Sequence, residues 1–129
     1  MTTLKIVDGQ DQLFNEAGMQ VVGSHRPNGQ GLSPRELLES ALALCISISM
    51  QQIMDYDGIT YEKSAIVISI ETEKAEEKPS RFAGFVAKVS LPPGLTDEYK
   101  EKLMRVTKRA CTIGTTLCTG ASVEMLVVE

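Results

Sequence analysis

Three cysteines, Cys45, Cys111 and Cys118, are the residues in this chain whose chemistry other side chains imitate least well. A thiol can be an inert apolar filler, a metal ligand, or, as its thiolate, a nucleophile and a redox centre. The chain carries one histidine, His25, and the four residues together follow no zinc-ligand spacing. No metal and no other cofactor is therefore expected, and His25 reads as a loop residue. No signal or transit sequence is recognised at the start, so the cytoplasm is the expected location. In that compartment thiols are more often free, catalytic or redox-active than part of a structural disulfide framework.

Cys45 lies in an apolar setting. On a helix its neighbours one turn away include Ala41, Leu42, Ile48 and Ser49, of which only Ser49 is polar. Taken alone, the position suits a small buried hydrophobe. Burial raises the pKa of a thiol, so a reactive Cys45 needs a positive charge or donors nearby; the surrounding sequence supplies none, so an activating arginine must come from elsewhere in the chain or from a partner. Cys111 falls at the end of an amphipathic segment. The sequence does not place the two sulfurs within disulfide range. Cys118 is expected to be structural.

Residues 33–57 must position Cys45. Ser33 suits an N-cap, Pro34 the first helical position, and Glu36 completes a capping box. Gly58 supplies the stop. Between them Leu37, Leu38, Leu42, Leu44, Ile46, Ile48, Met50, Ile53 and Met54 leave almost no polar face. A helix apolar nearly all round must be surrounded by other structure. A membrane span is not expected: charges and glutamines flank an apolar centre shorter than the roughly 20 residues a bilayer requires. So short a chain can hardly enclose such a helix, which suggests cover from a second chain.

The remaining elements follow from local pattern. Residues 2–7, 12–16 and 19–23 read as a meander turned by Asp8-Gly9 and Ala17-Gly18. Residues 24–32 form a polar loop. Residues 64–72 make a strand with Ile66, Ile68 and Ile70 on one face. A charged tip over 73–80 leads to a second strand, 81–91, with Phe85, Ala87, Val89 and Leu91 inward. Thr96 to Ala110 reads as a one-faced helix on Tyr99, Leu103, Val106 and Ala110. Residues 115–120 read as a short helical turn and 121–128 as a closing strand. Two strand groups separated by helices give an α+β fold with mostly antiparallel pairing.

The 129 residues fit a single domain spanning 1–129. The net charge is -4, without a basic block, which gives no footing for nucleic acid. With no Trp and six Met, the core is expected to be aliphatic, with methionines filling gaps.

Glu36 invites a role in orienting an activating arginine. Helical geometry limits it: nine residues on one helix put Glu36 and Cys45 about 13–14 Å apart along the axis and about 180° apart around it. Glu36 is a capping residue, or it serves the Cys45 of another subunit.

Two segments resemble the OsmC/Ohr family of thiol-dependent peroxidases. Ser33-Pro34-Arg35-Glu36-Leu37-Leu38, followed by Ala41, Leu42, Ala43 and Cys45, is similar to the family's S-P-x-E-L-L-x-x-A-L-x-x-C segment. Arg109-Ala110-Cys111-Thr112-Ile113-Gly114-Thr115-Thr116-Leu117 is similar to its second-cysteine segment. The resemblance implies two mostly antiparallel sheets around a long central buried helix, in an intertwined homodimer with active sites shared between subunits. It implies Cys45 as the peroxidatic thiolate and Cys111 as the resolving thiol, a small organic hydroperoxide or hydrogen peroxide as substrate, and an external dithiol as reductant. It further suggests Glu36 as the carboxylate of the motif and Arg26, the only arginine before it, as the activating cation. Arg35 stands where the organic-hydroperoxide branch has its arginine-pairing carboxylate, and Thr112 and Gly114 replace that branch's common Pro and Ser.

Three functions compete on this sequence. The first is a dimeric cysteine peroxidase. The second is a non-catalytic ligand-binding or redox-sensing dimer with reactive thiols, and the third is a structural dimer with inert thiols. A low-pKa Cys45 that is quickly oxidised belongs only to the first.

Overall fold

In a computed structural model, residues 1–128 are described. Three strands come first: β1 (Thr3–Val7), β2 (Gln10–Asn15) and β3 (Gly18–Gly23). Helix α1 (Pro34–Tyr56) follows, then a 3-10 turn (Lys63–Ala65), β4 (Val67–Lys74), β5 (Phe82–Ser90), α2 (Asp97–Ala110) and α3 (Thr112–Thr119). The fold is α+β, with a three-stranded sheet β1-β2-β3 and a two-stranded sheet β4-β5. The first sheet is antiparallel, with Leu4 opposite Leu13 and Leu13 opposite Val21. The β4–β5 connection is too short for anything but antiparallel neighbours.

The chain divides into two compact units. One holds residues 1–40 and 72–84, the other 41–71 and 85–129. Helix α1 and both strands of the β4–β5 sheet contribute residues to each.

In the first unit the meander turns at Asp8 and Gly9, both with positive φ (51° and 75°). That pair of conformations gives a turn whose twist matches the strands it joins. The polar loop 24–32 closes on the end of β3, where Leu32 N–H donates to Val22 O (3.0 Å) and Ser24 N–H to Leu32 O (2.9 Å). Helix α1 starts as the capping box dictates. Glu36 N–H donates to Ser33 Oγ (3.3 Å) and Ser33 N–H to Glu36 Oε1 (3.0 Å). One turn on, Arg35 donates from one guanidinium nitrogen to both Glu39 oxygens (2.9 and 3.0 Å), and Thr72 Oγ1 donates to Glu39 Oε2 (2.6 Å).

The second unit carries the core. Met50, Met54 and Leu103 are fully buried, with Ile46, Ile53, Ile66, Ile68, Val89, Leu91 and Tyr99 packed around them. Ile66, Ile68 and Ile70 are half-buried and Val67, Ser69 and Glu71 exposed, as the alternation requires. Thr96 caps α2 by accepting from Tyr99 N–H (3.1 Å). At the other end of α1, Asp57 accepts from Tyr99 Oη (2.8 Å) and Lys102 Nζ (3.0 Å), which joins α1 to α2. The Tyr99 hydroxyl is pushed up to about 12 by burial and by the Asp57 carboxylate.

Several expectations need correction. Residues 121–128 form no strand: no neighbouring segment among the described residues pairs with them, and Val123, Met125 and Val127 stay exposed. The long helix, as expected of so short a chain, is not enclosed by its own residues. Its buried residues are Leu42, Ser49, Met50 and Met54, while Leu44 is 63% and Ile48 46% exposed. Ala87 and Ala110, expected inward, are exposed. Thr107 rather than Ala110 continues the buried stripe of α2 below Leu103. The 3-10 turn delays β4, which starts at Val67 and runs on to Lys74. Helix α3 begins at Thr112, three residues before the expected turn, and this shift makes the site.

Candidate active site

Cys45 comes from the middle of α1, and Cys111 from the junction of α2 and α3. Both lie in the second unit. Cys111 closes one helix and opens the next. Its N–H donates to Thr107 O (3.0 Å), the last turn of α2, and its carbonyl accepts from Thr115 N–H (2.9 Å), the first turn of α3. Its extended backbone (φ -74°, ψ 105°) is that of an N-cap, and its sulfur takes the capping role by accepting from Gly114 N–H (3.3 Å). Ser, Thr, Asp and Asn usually fill this position. A cysteine there puts a sulfur where the first N–H groups of a helix point.

Cys45 brings a second sulfur to the same helix end. The main-chain N–H of Ile113, the Cys111 thiol and the N–H of Thr112 are the groups near its sulfur that favour its thiolate. The Ile113 N–H does most to hold the Cys45 thiol below its ordinary pKa. The Cys111 thiol and the Thr112 N–H add to it, against the opposing effect of burial. The positive end of the α3 dipole has the sign that favours a thiolate. Cys111 is moved the other way. Burial comes first, with Cys111 only 2% exposed, and the adjacent Cys45 sulfur adds to it, outweighing the Gly114 N–H. Of the two, Cys45 is the sulfur whose thiolate the surroundings favour, and Cys111 the one whose thiolate they disfavour. All three cysteines are free thiols.

The structure brings two of the four expected site residues together. The other two lie in the first unit: Glu36 in the capping box of α1, and Arg26 in the exposed 24–32 loop. Glu36 is held below its ordinary pKa chiefly by the Ser33 N–H, which is the cap at work. The groups that lower Cys45 are two backbone N–H groups and a thiol, with no arginine among them. Cys118 is exposed on α3, and His25 sits in the loop 3.3 Å from Asp11 Oδ2.

The donors at Thr112 and Ile113 were missed by sequence reasoning, which looked for charged side chains. The available signal was a cysteine placed directly before a short helix-compatible run, Thr112-Ile113-Gly114-Thr115.

The chain matches the family described as OsmC-like protein over residues 27–125. It belongs to the OsmC-like family. Within that family it is similar to an uncharacterized protein of Mycobacterium tuberculosis strain H37Rv, at 32% identity over 124 residues, covering 87% of this chain and 83% of the relative. In structure this OsmC-like chain is similar to an OsmC-like protein from Mycoplasma pneumoniae. The TM-score is 0.74 at 18% identity, covering 92% of this chain and 86% of the other. The organic hydroperoxide resistance protein OhrB of Bacillus subtilis follows the same fold, with a TM-score of 0.67 at 14% identity and coverage of 90% and 87%. Identities this low establish the OsmC-like fold and leave the chemistry to be argued from the site.

Proposed function

We propose that this OsmC-like protein is a thiol-dependent peroxidase that reduces organic hydroperoxides or hydrogen peroxide, with Cys45 peroxidatic and Cys111 resolving. One feature carries the reading: the N–H groups that open α3 and the Cys111 thiol favour the thiolate of Cys45. A peroxidatic sulfur needs a thiolate and a second thiol in reach, and this arrangement supplies both. The OhrB neighbour is an organic hydroperoxide resistance protein, which agrees with that chemistry.

The steps follow from the two protonation states. The Cys45 thiolate attacks the terminal oxygen of the hydroperoxide and the O–O bond breaks. Cys45 becomes a sulfenic acid, and the departing alkoxide takes a proton to leave as the alcohol. The Cys111 sulfur then attacks the Cys45 sulfur. The S–O bond breaks, an S–S bond forms, and hydroxide leaves with the Cys111 proton as water. An external dithiol returns two electrons and two protons, which restores both thiols.

The reading includes a cytoplasmic homodimer. Leu44 and Ile48, a turn apart on α1, and Val123, Met125 and Val127 of the C-terminal segment are exposed apolar residues. A second copy would cover them, and this accounts for a helix apolar on sides its own chain leaves open. In such a dimer Glu36 and Arg26 would act across the interface, Arg26 on the Cys45 of the other subunit and Glu36 in orienting it. Within one helix Glu36 and Cys45 face opposite ways.

Steady-state turnover tests the enzyme reading. Cumene hydroperoxide is supplied with dithiothreitol or dihydrolipoamide, and peroxide loss is followed. Wild type turns over, Cys45→Ser is inactive, and Cys111→Ser loses most turnover with the dithiol. Equal peroxide loss in wild type and Cys45→Ser would overturn it.

A further inference from the structure

Gly114 is the third residue of α3, in ordinary helical conformation. Its φ is outside the positive region that calls for glycine, unlike those of Gly9, Gly18, Gly58, Gly94 and Gly120. Alanine is the better helix former at such a position, so backbone geometry gives no reason for glycine. The surroundings do. A methyl group built on Gly114 would stand 3.3 Å from Cys111 Sγ, 3.6 Å from Cys111 Cβ and 3.7 Å from Leu42 Cδ1. The first separation is tighter than carbon–sulfur packing accommodates without movement. The same residue's N–H is what Cys111 Sγ accepts from, at 3.3 Å. Leu42 is itself buried, at 6% exposure, and lines the same gap.

We propose that Gly114 is a positioning residue for the resolving sulfur: its missing side chain leaves the space in which Cys111 Sγ sits on the α3 cap and from which it moves onto Cys45. The proposal deepens the peroxidase reading and rests on it for the identity of the oxidant. In the step concerned, the Cys111 sulfur displaces hydroxide from the Cys45 sulfenic acid and its proton leaves with that hydroxide as water. Reaching the bonded separation of about 2.0 Å requires Sγ to leave its cap. A sulfur pushed aside by a methyl group at position 114 starts from the wrong place. Misplacement by about 1 Å can cost on the order of a hundredfold in rate, so a displacement of a few tenths of an ångström should cost roughly three- to tenfold.

The test compares reduced wild type with Gly114→Ala, each treated in turn with one equivalent of cumene hydroperoxide and of diamide. Diamide takes two electrons and two protons from a thiol pair and needs no peroxidase chemistry. Closure of the Cys45–Cys111 disulfide is timed by quench and mass mapping, and dimedone traps any sulfenic acid that persists on Cys45. The expected result has three parts. Gly114→Ala melts no lower than wild type. Its disulfide closes roughly three- to tenfold more slowly with both oxidants. A dimedone adduct on Cys45, absent or faint in wild type, appears after peroxide. A purely structural glycine would move melting and closure in the same direction. Closure at the wild-type rate with diamide overturns the proposal, and so does a variant that melts well below wild type, because the methyl group would then be disrupting α3 as a whole. If peroxide leaves wild-type Cys45 untouched, the peroxidase reading fails, while the diamide comparison still decides the role of Gly114.

Discussion

At Cys45 the stabilising partners are two main-chain N–H groups and a thiol, and this fixes how the residue should titrate. The Ile113 N–H, the Cys111 thiol and the Thr112 N–H favour the thiolate. The folded-state pKa is therefore depressed. The alkylation rate of Cys45 should stay high below the ordinary thiol range and fall only as pH drops through that depressed value. The same depression contributes stability that is present above the unfolded thiol pKa and lost as pH falls through the folded one. Cys111, pushed up chiefly by burial, behaves oppositely: its contribution is present below the unfolded pKa and lost as pH rises through the folded one. Cys111→Ala removes one donor from Cys45 and keeps the two N–H groups. Its Cys45 alkylation profile should move to higher pH yet remain below that of a free thiol. Iodoacetamide rates against pH, read by mass spectrometry at Cys45, give both profiles. A Cys45 profile that follows an ordinary thiol in wild type would contradict the geometry.

Among the elements, α2 carries a feature that invites a stabilising change. Thr107 is 2% exposed, and its hydroxyl has no hydrogen-bond partner among the described residues. An unsatisfied buried hydroxyl costs about 1–3 kcal/mol. Thr107→Val keeps the shape and removes the polar atom, so urea unfolding should show a gain of about 1 kcal/mol. Leu103→Ala, in the fully buried cluster with Met50 and Met54, should lose about 2–5 kcal/mol in the same measurement. The elements also show where sequence was sufficient. The α1 start was legible because Ser33, Pro34 and Glu36 form a local code that needs no tertiary information, and the observed reciprocal hydrogen bonds repeat it. The Asp8-Gly9 turn was legible for the same reason. The start of α3 was not. A cysteine N-cap lies outside the usual set, and the helix became visible only once its N–H groups had two sulfurs to face. Residues 121–128 alternate like a strand, but a strand exists only where another segment supplies hydrogen bonds, and sequence alternation does not name that segment.

For the whole molecule, α1 poses the main question. By length and composition it could cross a membrane, and most of its apolar residues are not fully buried. The proposed second copy of the chain would resolve this differently, by covering Leu44 and Ile48. In the proposed dimer, Leu44→Glu would place a charge in an apolar contact, and burying an unpaired charge is strongly unfavourable. Light scattering after size exclusion should then report a dimer for wild type and a monomer for Leu44→Glu. A monomeric wild type at micromolar concentration would contradict the dimer and return α1 to the list of unexplained surfaces. Family membership was legible from two short segments, and the match over residues 27–125 bears this out. The grouping of the molecule into two units was not, because α1, β4 and β5 contribute to both and no linker marks a boundary.

The most direct test of the central claim, that Cys45 is the reacting sulfur and Cys111 its resolving partner, is a thiol count after a single equivalent of cumene hydroperoxide. Reduced wild type should lose two of its three thiols quickly, and peptide mapping should find a Cys45–Cys111 link with Cys118 still free. Neither Cys45→Ser nor Cys111→Ser should form that link. Survival of all three thiols in the folded protein under excess peroxide, or a link that includes Cys118 in place of Cys111, would contradict the account.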